Sequence, residues 1–362
     1  MTVSRILLVS KGLDIGGIER MVVDLANALA RSGVDVHVAM VNDRRDGLIG
    51  QLERSGITLH RLGGSDLIGF RAAARLARLV RDSRFDVVHV HGPLPSIVAR
   101  LVPGKRPLVT TSHTPMSALR RPTRALWLLT SRADNATIAV SAVVATSMPR
   151  LVAADVIVIP HGLDMDAIRR VRVAAKASQR EPGEVVGITV ASHRDAKNYP
   201  NLLHALQVAL DRGVPLRLIA IGDGPDLQHH RALARQLGID GSITFVPPDP
   251  DILGLIASAD FLVVASDYEG QPLVVMEALA LGVPVVATAV GRVPELVNPS
   301  VGRVVPPGDP EALGGAMAEL AAGPLLRSRL AVNASEHSSS WTFDDIATAH
   351  LGIYERIAHR LG

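Results

Sequence analysis

The feature that most constrains this chain is alternation. Short runs rich in Val, Ile and Leu recur between helix-length segments through both halves of the sequence. Residues 6–9, 34–40, 87–90, 108–111 and 137–140 read as strands in the first half. Residues 185–190, 216–221, 243–246, 261–264 and 285–287 read as strands in the second. Several are apolar at every position, as strands covered on both faces are. The segments between them, such as 18–30 and 202–211, carry helical apolar spacing. Strand, helix and strand in succession mean parallel strands joined by crossover helices, so each sheet lies between two helical layers. With 362 residues, 48% of them hydrophobic, the chain is long enough for two such bodies, each with its own core. Ligands of these sheets bind beyond the carboxyl ends of the strands. The loops that follow strands are therefore where chemistry is sought.

The loop after residues 261–264 carries the most. Glu269 and Glu277 stand eight positions apart across a strand-to-helix junction. Pro272 suits the first turn of a helix, where its missing N–H is no loss, and Gly282 stands where that helix should stop. Glu269 is then expected in the loop at the strand's carboxyl end, with Glu277 facing inward from the helix. Between them, around Gly270, Pro272 and Leu273, the helix start offers backbone N–H groups and the positive end of a dipole. Such a junction can hold a negatively charged group while two carboxylates grip hydroxyls on either side of it. It describes a sugar-nucleotide pocket.

The segment continues through Pro284-Val285-Val286-Ala287-Thr288 and Gly291-Arg292-Val293-Pro294-Glu295. Taken whole, it resembles the Glu-x7-Glu signature of the retaining family-four glycosyltransferases, which have the GT-B fold. The resemblance implies two doubly wound, Rossmann-like α/β domains facing across a cleft. Residues 1–165 would form the acceptor-side domain and 183–340 the donor-binding domain, with the last helix, about 341–362, packing back on the first. It implies a nucleoside-diphosphate sugar as co-substrate, no metal ion and no cofactor. It also implies that Glu269 grips the donor sugar and Glu277 the ribose.

Other loops fit the same scheme. Gly16-Gly17, after the first strand, resembles the family's N-terminal glycine loop beside the cleft; its spacing is not Gly-x-Gly-x-x-Gly, which disfavours a dinucleotide site. His89 and His91 alternate onto one face of their strand, and a core histidine satisfied by hydrogen bonds is the expected fate of His89 rather than metal binding. His91 and His113 fall at strand ends. The surroundings of His113 resemble the family's Thr-x-His position near the reacting sugar, with His91 a secondary candidate. Lys197, one of four lysines, and Arg194 follow the strand at 185–190, where family members pair Arg and Lys to neutralise the donor diphosphate. The chain departs there from the commoner Gly-Arg-Leu, carrying Ala191-Ser192-His193, which leaves Arg194 as the second charge. Gly222 and Val246 are expected beside the nucleotide, through backbone atoms. Asp164-Met-Asp166 and Asp249-Pro-Asp251 match an Asp-x-Asp metal pattern, yet both precede helical runs, where Asp serves as a cap.

Composition excludes other classes. There is no cysteine, so disulfides, thiolate metal sites and cysteine nucleophiles are absent together. No apolar stretch reaches the roughly 20 residues that span a bilayer, and no signal peptide is expected at the start. A cytoplasmic location follows. Net charge is +3 and aromatics are 3%, which leaves few stacking platforms for nucleic acid. Arg71, Arg75, Arg78 and Arg81 share one side of a predicted helix, and Arg120, Arg121 and Arg124 precede an apolar run containing Trp127. A solvated charged face is the default reading, and peripheral contact with the inner face of an anionic membrane is the alternative. The rival functions are an epimerase or phosphorylase on a similar fold, and a sugar-nucleotide-binding protein without turnover.

Overall fold

The computed structural model of the chain describes residues 3–14, 16–43, 46–64, 69–82, 85–103, 107–149, 156–175, 184–249 and 251–361. The chain divides into two compact units, Met1–Gly162 with Thr342–Gly362, and Leu163–Trp341. The boundary falls at 162/163 rather than after 165, and the chain returns at 342. The helix Met165–Ala175 belongs wholly to the second unit, on whose helices it packs. Residues 176–182, between the two domains that the sequence suggests, lie outside the described residues.

In the first unit the strands are β1 (Arg5–Ser10), β2 (Asp35–Asn42), β3 (Thr58–Gly64), β4 (Val87–His91), β5 (Leu108–Ser112), β6 (Ala136–Ala139) and β7 (Val156–Val158). They form one sheet in the order β3-β2-β1-β4-β5-β6-β7, all neighbours parallel. In the second unit they are β8 (Val185–Val190), β9 (Leu216–Ile221), β10 (Ile243–Val246), β11 (Phe261–Val264), β12 (Val285–Thr288) and β13 (Gly302–Val305). These form a second parallel sheet in the order β10-β9-β8-β11-β12-β13. Each is a doubly wound Rossmann-like sheet, and each reverses direction once. The reversal lies between β1 and β4 in the first sheet and between β8 and β11 in the second. At such switch points the loops of two adjacent strands diverge and leave a crevice.

Apolar burial follows the strand periodicity. Ile6, Leu7, Leu8 and Val9 of β1 and Phe261, Leu262 and Val263 of β11 are fully buried. In the first unit the helices Phe70–Asp82, Pro93–Arg100 and Arg121–Thr130 connect β3 through to β6 and pack side by side. The helix Gly17–Arg31 connects β1 to β2 in the reverse direction and packs on the final helix, Phe343–Leu361. Right-handed crossovers place these two groups on opposite faces of the sheet. One buried ion pair ties the first group down. Arg100 Nε donates to Asp134 Oδ1 at 2.8 Å and Arg100 Nη2 to Asp134 Oδ2 at 2.5 Å. The Trp127 ring lies 4.4 Å beneath the guanidinium, so Trp127 faces the interior, 3% exposed.

Candidate active site

The second unit's switch point brings together two loops. One follows β8 and contains the short 3-10 turn Asp195–Lys197; the other follows β11 and contains Glu269. Lys197 Nζ donates to Glu269 Oε1 at 2.6 Å, and Ser266 Oγ donates to the same oxygen at 2.8 Å. The pair is partly buried, with the Lys197 and Glu269 side chains 27% and 12% exposed. The loops are also joined through backbone, Asp267 N–H donating to the Ala196 carbonyl at 3.0 Å. Asn198 Nδ2 donates to Asp267 Oδ1 at 2.7 Å. Among the described residues Asn198 is the one non-glycine with positive φ, at 43°. Asparagine tolerates that left-handed region better than other L-residues. Its side-chain oxygen meanwhile caps the next helix, accepting from Asn201 N–H. Lys197 is thus held by a strained residue whose two side-chain atoms are both engaged. Arg194 is exposed and makes no ion pair among the described residues.

The helix after Glu269 runs Leu273–Leu281, with Pro272 immediately before its first turn and Gly282 ending it at φ 78°. Seven of its nine residues are buried, and Glu277 is its one charged side chain, half-buried on the side it shares with Val274. A carboxylate on a helix enclosed this thoroughly needs a polar partner. Gly270 and Gln271 precede it, both buried. The loop after β12 supports this junction from below. Gly291 has φ 53°, and a Cβ there would stand 2.2 Å from the Glu269 carbonyl oxygen. Only glycine lets the two backbones approach so closely.

Gly222 closes the turn after β9. Its N–H donates to the Val246 carbonyl at 3.0 Å, and a Cβ would lie 2.0 Å from the Ala191 oxygen. The Gly222 N–H is therefore engaged by scaffold, and its role is to let the β8 and β9 loops touch. Beside it is a cavity of about 90 Å³ lined by Gly222, Asp223, Leu227, Arg231, Phe245, Val246 and Pro247. Both Asp-x-Asp pairs cap helices. Asp164 Oδ1 accepts from Ala167 N–H at 2.9 Å, and Asp251 Oδ1 from Gly254 N–H at 3.2 Å.

The first unit's switch point gathers histidines. His89 is fully buried with both ring nitrogens engaged, Nδ1 with the Tyr354 hydroxyl at 2.6 Å and Nε2 with Thr111 Oγ1 at 2.7 Å. His91 ends β4, and His113 directly follows β5. His91 Nδ1 lies 3.3 Å from His113 Nε2, while the outer nitrogens, His91 Nε2 and His113 Nδ1, are buried with no hydrogen-bond partner among the described residues. Burial holds His91 well below the ordinary imidazole range and lowers His113 to about 3, reinforced by neighbouring imidazoles. Both rings are then neutral at pH 7. Their shared hydrogen bond couples the tautomers, so one outer nitrogen is a donor and the other an acceptor. That combination matches a hydroxyl, whereas a phosphate only accepts. At the end of β1, Gly16 is in extended conformation, φ −154°, and caps the helix Gly17–Arg31. Its backbone angles are open to any residue, and a Cβ there would meet only the flexible tip of Glu19, whose Oε2 lies at 2.5 Å.

Known proteins share this fold. The Anabaena protein HepE, solved with UDP-glucose, has the same fold, with a TM-score of 0.79 and 20% identity over 99% of each chain. Residues 15–167 match the family model Glycosyltransferase Family 4, and residues 172–337 match Glycosyl transferases group 1. The chain has the fold of the GT-B glycosyltransferases and matches a glycosyltransferase family model in each of its two halves. The chain is 34% identical to the D-inositol 3-phosphate glycosyltransferase of Saccharomonospora viridis over 207 residues, 53% of the chain and 48% of the relative. It thus spans about half the length of that relative. It is 28% identical to the enzyme of the same name from Actinosynnema mirum, over 94% of the chain and 92% of the relative.

Several residues that the sequence alone does not single out shape the loops after β8 and β11. Ser266 shares an oxygen with Lys197, and Asn198 with Asp267 fixes the Lys197 turn. The Asn-x-x-Asn spacing before the helix at Tyr199 was a readable cap signal, but nothing in the sequence links it to Asp267, 69 residues on.

Proposed function

We propose that this glycosyltransferase moves a hexose-type sugar from a nucleoside-diphosphate sugar to an acceptor hydroxyl, with retention of configuration and without a metal ion. The observation that carries the reading is the Lys197–Glu269 pair at the switch point, held between two clamped loops at the start of a buried helix with a single carboxylate. Breaking the bond between the anomeric carbon and the phosphate oxygen leaves negative charge on the diphosphate. An ammonium has three donors, so Lys197 can hold Glu269 and a phosphate oxygen together. Arg194 and the N–H groups opening the helix at Leu273 add to that stabilisation, electrostatics prearranged for charge that develops in the transition state. Glu269 accepts from donor-sugar hydroxyls and Glu277 from the ribose, with Gly270, Pro272 and Leu273 shaping the backbone between. The cavity beside Gly222 and Val246 takes the base, and a UDP-sugar is the donor to test first, by analogy with the HepE complex. His113, paired with His91, contributes a neutral hydroxyl-binding group. Retention follows if the acceptor hydroxyl attacks from the side the diphosphate leaves, its proton passing to a diphosphate oxygen. The acceptor is a glycan, a lipid-linked sugar or a small molecule. The names of the relatives make a phosphorylated inositol one compound to include.

The test is nucleoside-diphosphate release from a panel of UDP-, GDP- and ADP-sugars with and without acceptors, in the parent enzyme and in Lys197→Ala and Glu277→Ala. Each variant should lose at least a hundred-fold in kcat/KM while keeping its melting temperature, the size of effect expected for one prearranged electrostatic contact. Unchanged turnover in both folded variants would remove these residues from the reaction. Donor consumption without acceptor would favour an epimerase or hydrolase, and binding without turnover a non-catalytic sugar-nucleotide protein.

A further inference from the structure

The first unit carries unequal charge on the two faces of its sheet. Residues 69–133 contain twelve Lys and Arg against two Asp, whereas the whole chain has 38 basic and 35 acidic residues. The remainder therefore holds 26 basic against 33 acidic. The excess sits in and beside the layer of three helices, Phe70–Asp82, Pro93–Arg100 and Arg121–Thr130. Among the described residues Arg71, Arg75, Arg78, Arg81, Arg120, Arg121, Arg124 and Arg132 are exposed. On the opposite face the helices Gly17–Arg31 and Phe343–Leu361 hold four arginines against five acidic residues. The basic face also exposes large apolar side chains: Phe70 89%, Leu101 67%, Leu126 51% and Leu129 80%. The helix Arg121–Thr130 shows how they are combined. Trp127 points inward beneath Arg100, so at 100° per residue the outermost positions are Ala125 and Leu129, flanked by Arg121 and Leu126.

We propose that this helix layer docks on a bilayer containing anionic lipid, with the arginines at headgroup level and Leu126 and Leu129 reaching the acyl boundary. Each half of the pattern supports that occupant. Clustered arginine is attracted to an anionic surface, and exposed leucine on a basic helix gains by entering the interface. Nucleic acid would reward the charge but not the aliphatic tips, and the layer presents a single exposed aromatic, Phe70, for stacking. The inference stands apart from the transfer reaction, since it concerns a helical face away from the strand ends.

Flotation of the full chain with vesicles tests it, using phosphatidylcholine alone and phosphatidylcholine mixed equally with phosphatidylglycerol. Binding is expected to the mixed vesicles only, and to fall as salt is raised. Arg71→Gln, Arg121→Gln and Arg124→Gln combined should weaken it about a hundred-fold, at about five-fold per arginine. Leu126→Ser with Leu129→Ser should weaken it about ten-fold without changing the melting temperature. Equal binding to both vesicles, or to neither at low salt, would overturn the proposal. So would leucine variants that bind mixed vesicles as the parent does while duplex DNA competes for the same face.

Discussion

Lowering the pH should unfold the first unit before the second, because its core contains imidazoles that burial keeps neutral. His113 is lowered to about 3 and His350 to about 4, and His89 and His91 lie well below the ordinary value; desolvation is the largest cause for each. In the unfolded chain these groups bind protons near 6.5, whereas in the native state they do not. Stability is therefore complete above that value and is lost as the pH falls toward the native values. At pH 5 each such histidine costs about 2 kcal/mol, so four cost about 8 kcal/mol, comparable with the whole stability of a domain. The second unit has His193, lowered to about 4, and His230, also lowered, and so loses less. At 2–4 °C per kcal/mol for units of this size, the first unit should fall several degrees further than the second between pH 7 and pH 5. The chain's two tryptophans separate the signals, since Trp127 lies in the first unit and Trp341 in the second. Melting followed by fluorescence in Trp341→Phe and in Trp127→Phe reads each unit alone. His350→Leu should return about 2 kcal/mol of the acid loss to the first unit. If both transitions move equally between pH 7 and pH 5, the histidine cluster is not what limits acid stability.

Further expectations concern single contacts. Gly291→Ala places a methyl 2.2 Å from the Glu269 carbonyl at a φ of 53°; it should lower turnover at least ten-fold by displacing that loop while circular dichroism stays unchanged. Asp134→Ala strands Arg100 in the interior and should cost about 3–5 kcal/mol in urea unfolding, whereas Arg100→Met with Asp134→Leu should cost less than the single change. A chelator in excess should leave transfer from the accepted donor unaltered, as the proposal of phosphate neutralisation by Lys197 and Arg194 requires; recovery on adding magnesium would contradict it.

The strands and their order of use were readable because a strand buried on both faces is apolar at every position, as in 6–9 and 261–264. The three strands missed lie toward sheet edges, where that pressure is relaxed. β3 reads Thr-Leu-His-Arg-Leu-Gly-Gly with polar residues on its open side, β7 has three residues, and β13 begins on glycine and arginine. Loop chemistry was readable where one residue type does one thing: Gly282 at the helix end, Asp164 and Asp251 as caps. It was not readable where function depends on a partner far along the chain. Nothing local shows that Lys197 meets Glu269, or that Trp127, written beside exposed leucines and arginines, turns inward to Arg100. His89 shows both halves of this. Alternation placed it with His91, but its satisfaction by Tyr354 spans 265 positions.

That separation bears on how the protein is made. The first unit is assembled from two separate stretches of chain, because residues 342–362 complete the face on which helix Gly17–Arg31 packs. As the chain leaves the ribosome, the seven strands of the first sheet precede the whole second unit, yet Tyr354, the hydrogen-bond partner of buried His89, follows it. The second unit is continuous in sequence and can close before synthesis ends. The first must wait for residues 342–361, which cover the helix Gly17–Arg31 and supply the Tyr354 hydroxyl to His89. The unit begun first is completed only after the second has been made, so one unit can fold while the other is still incomplete.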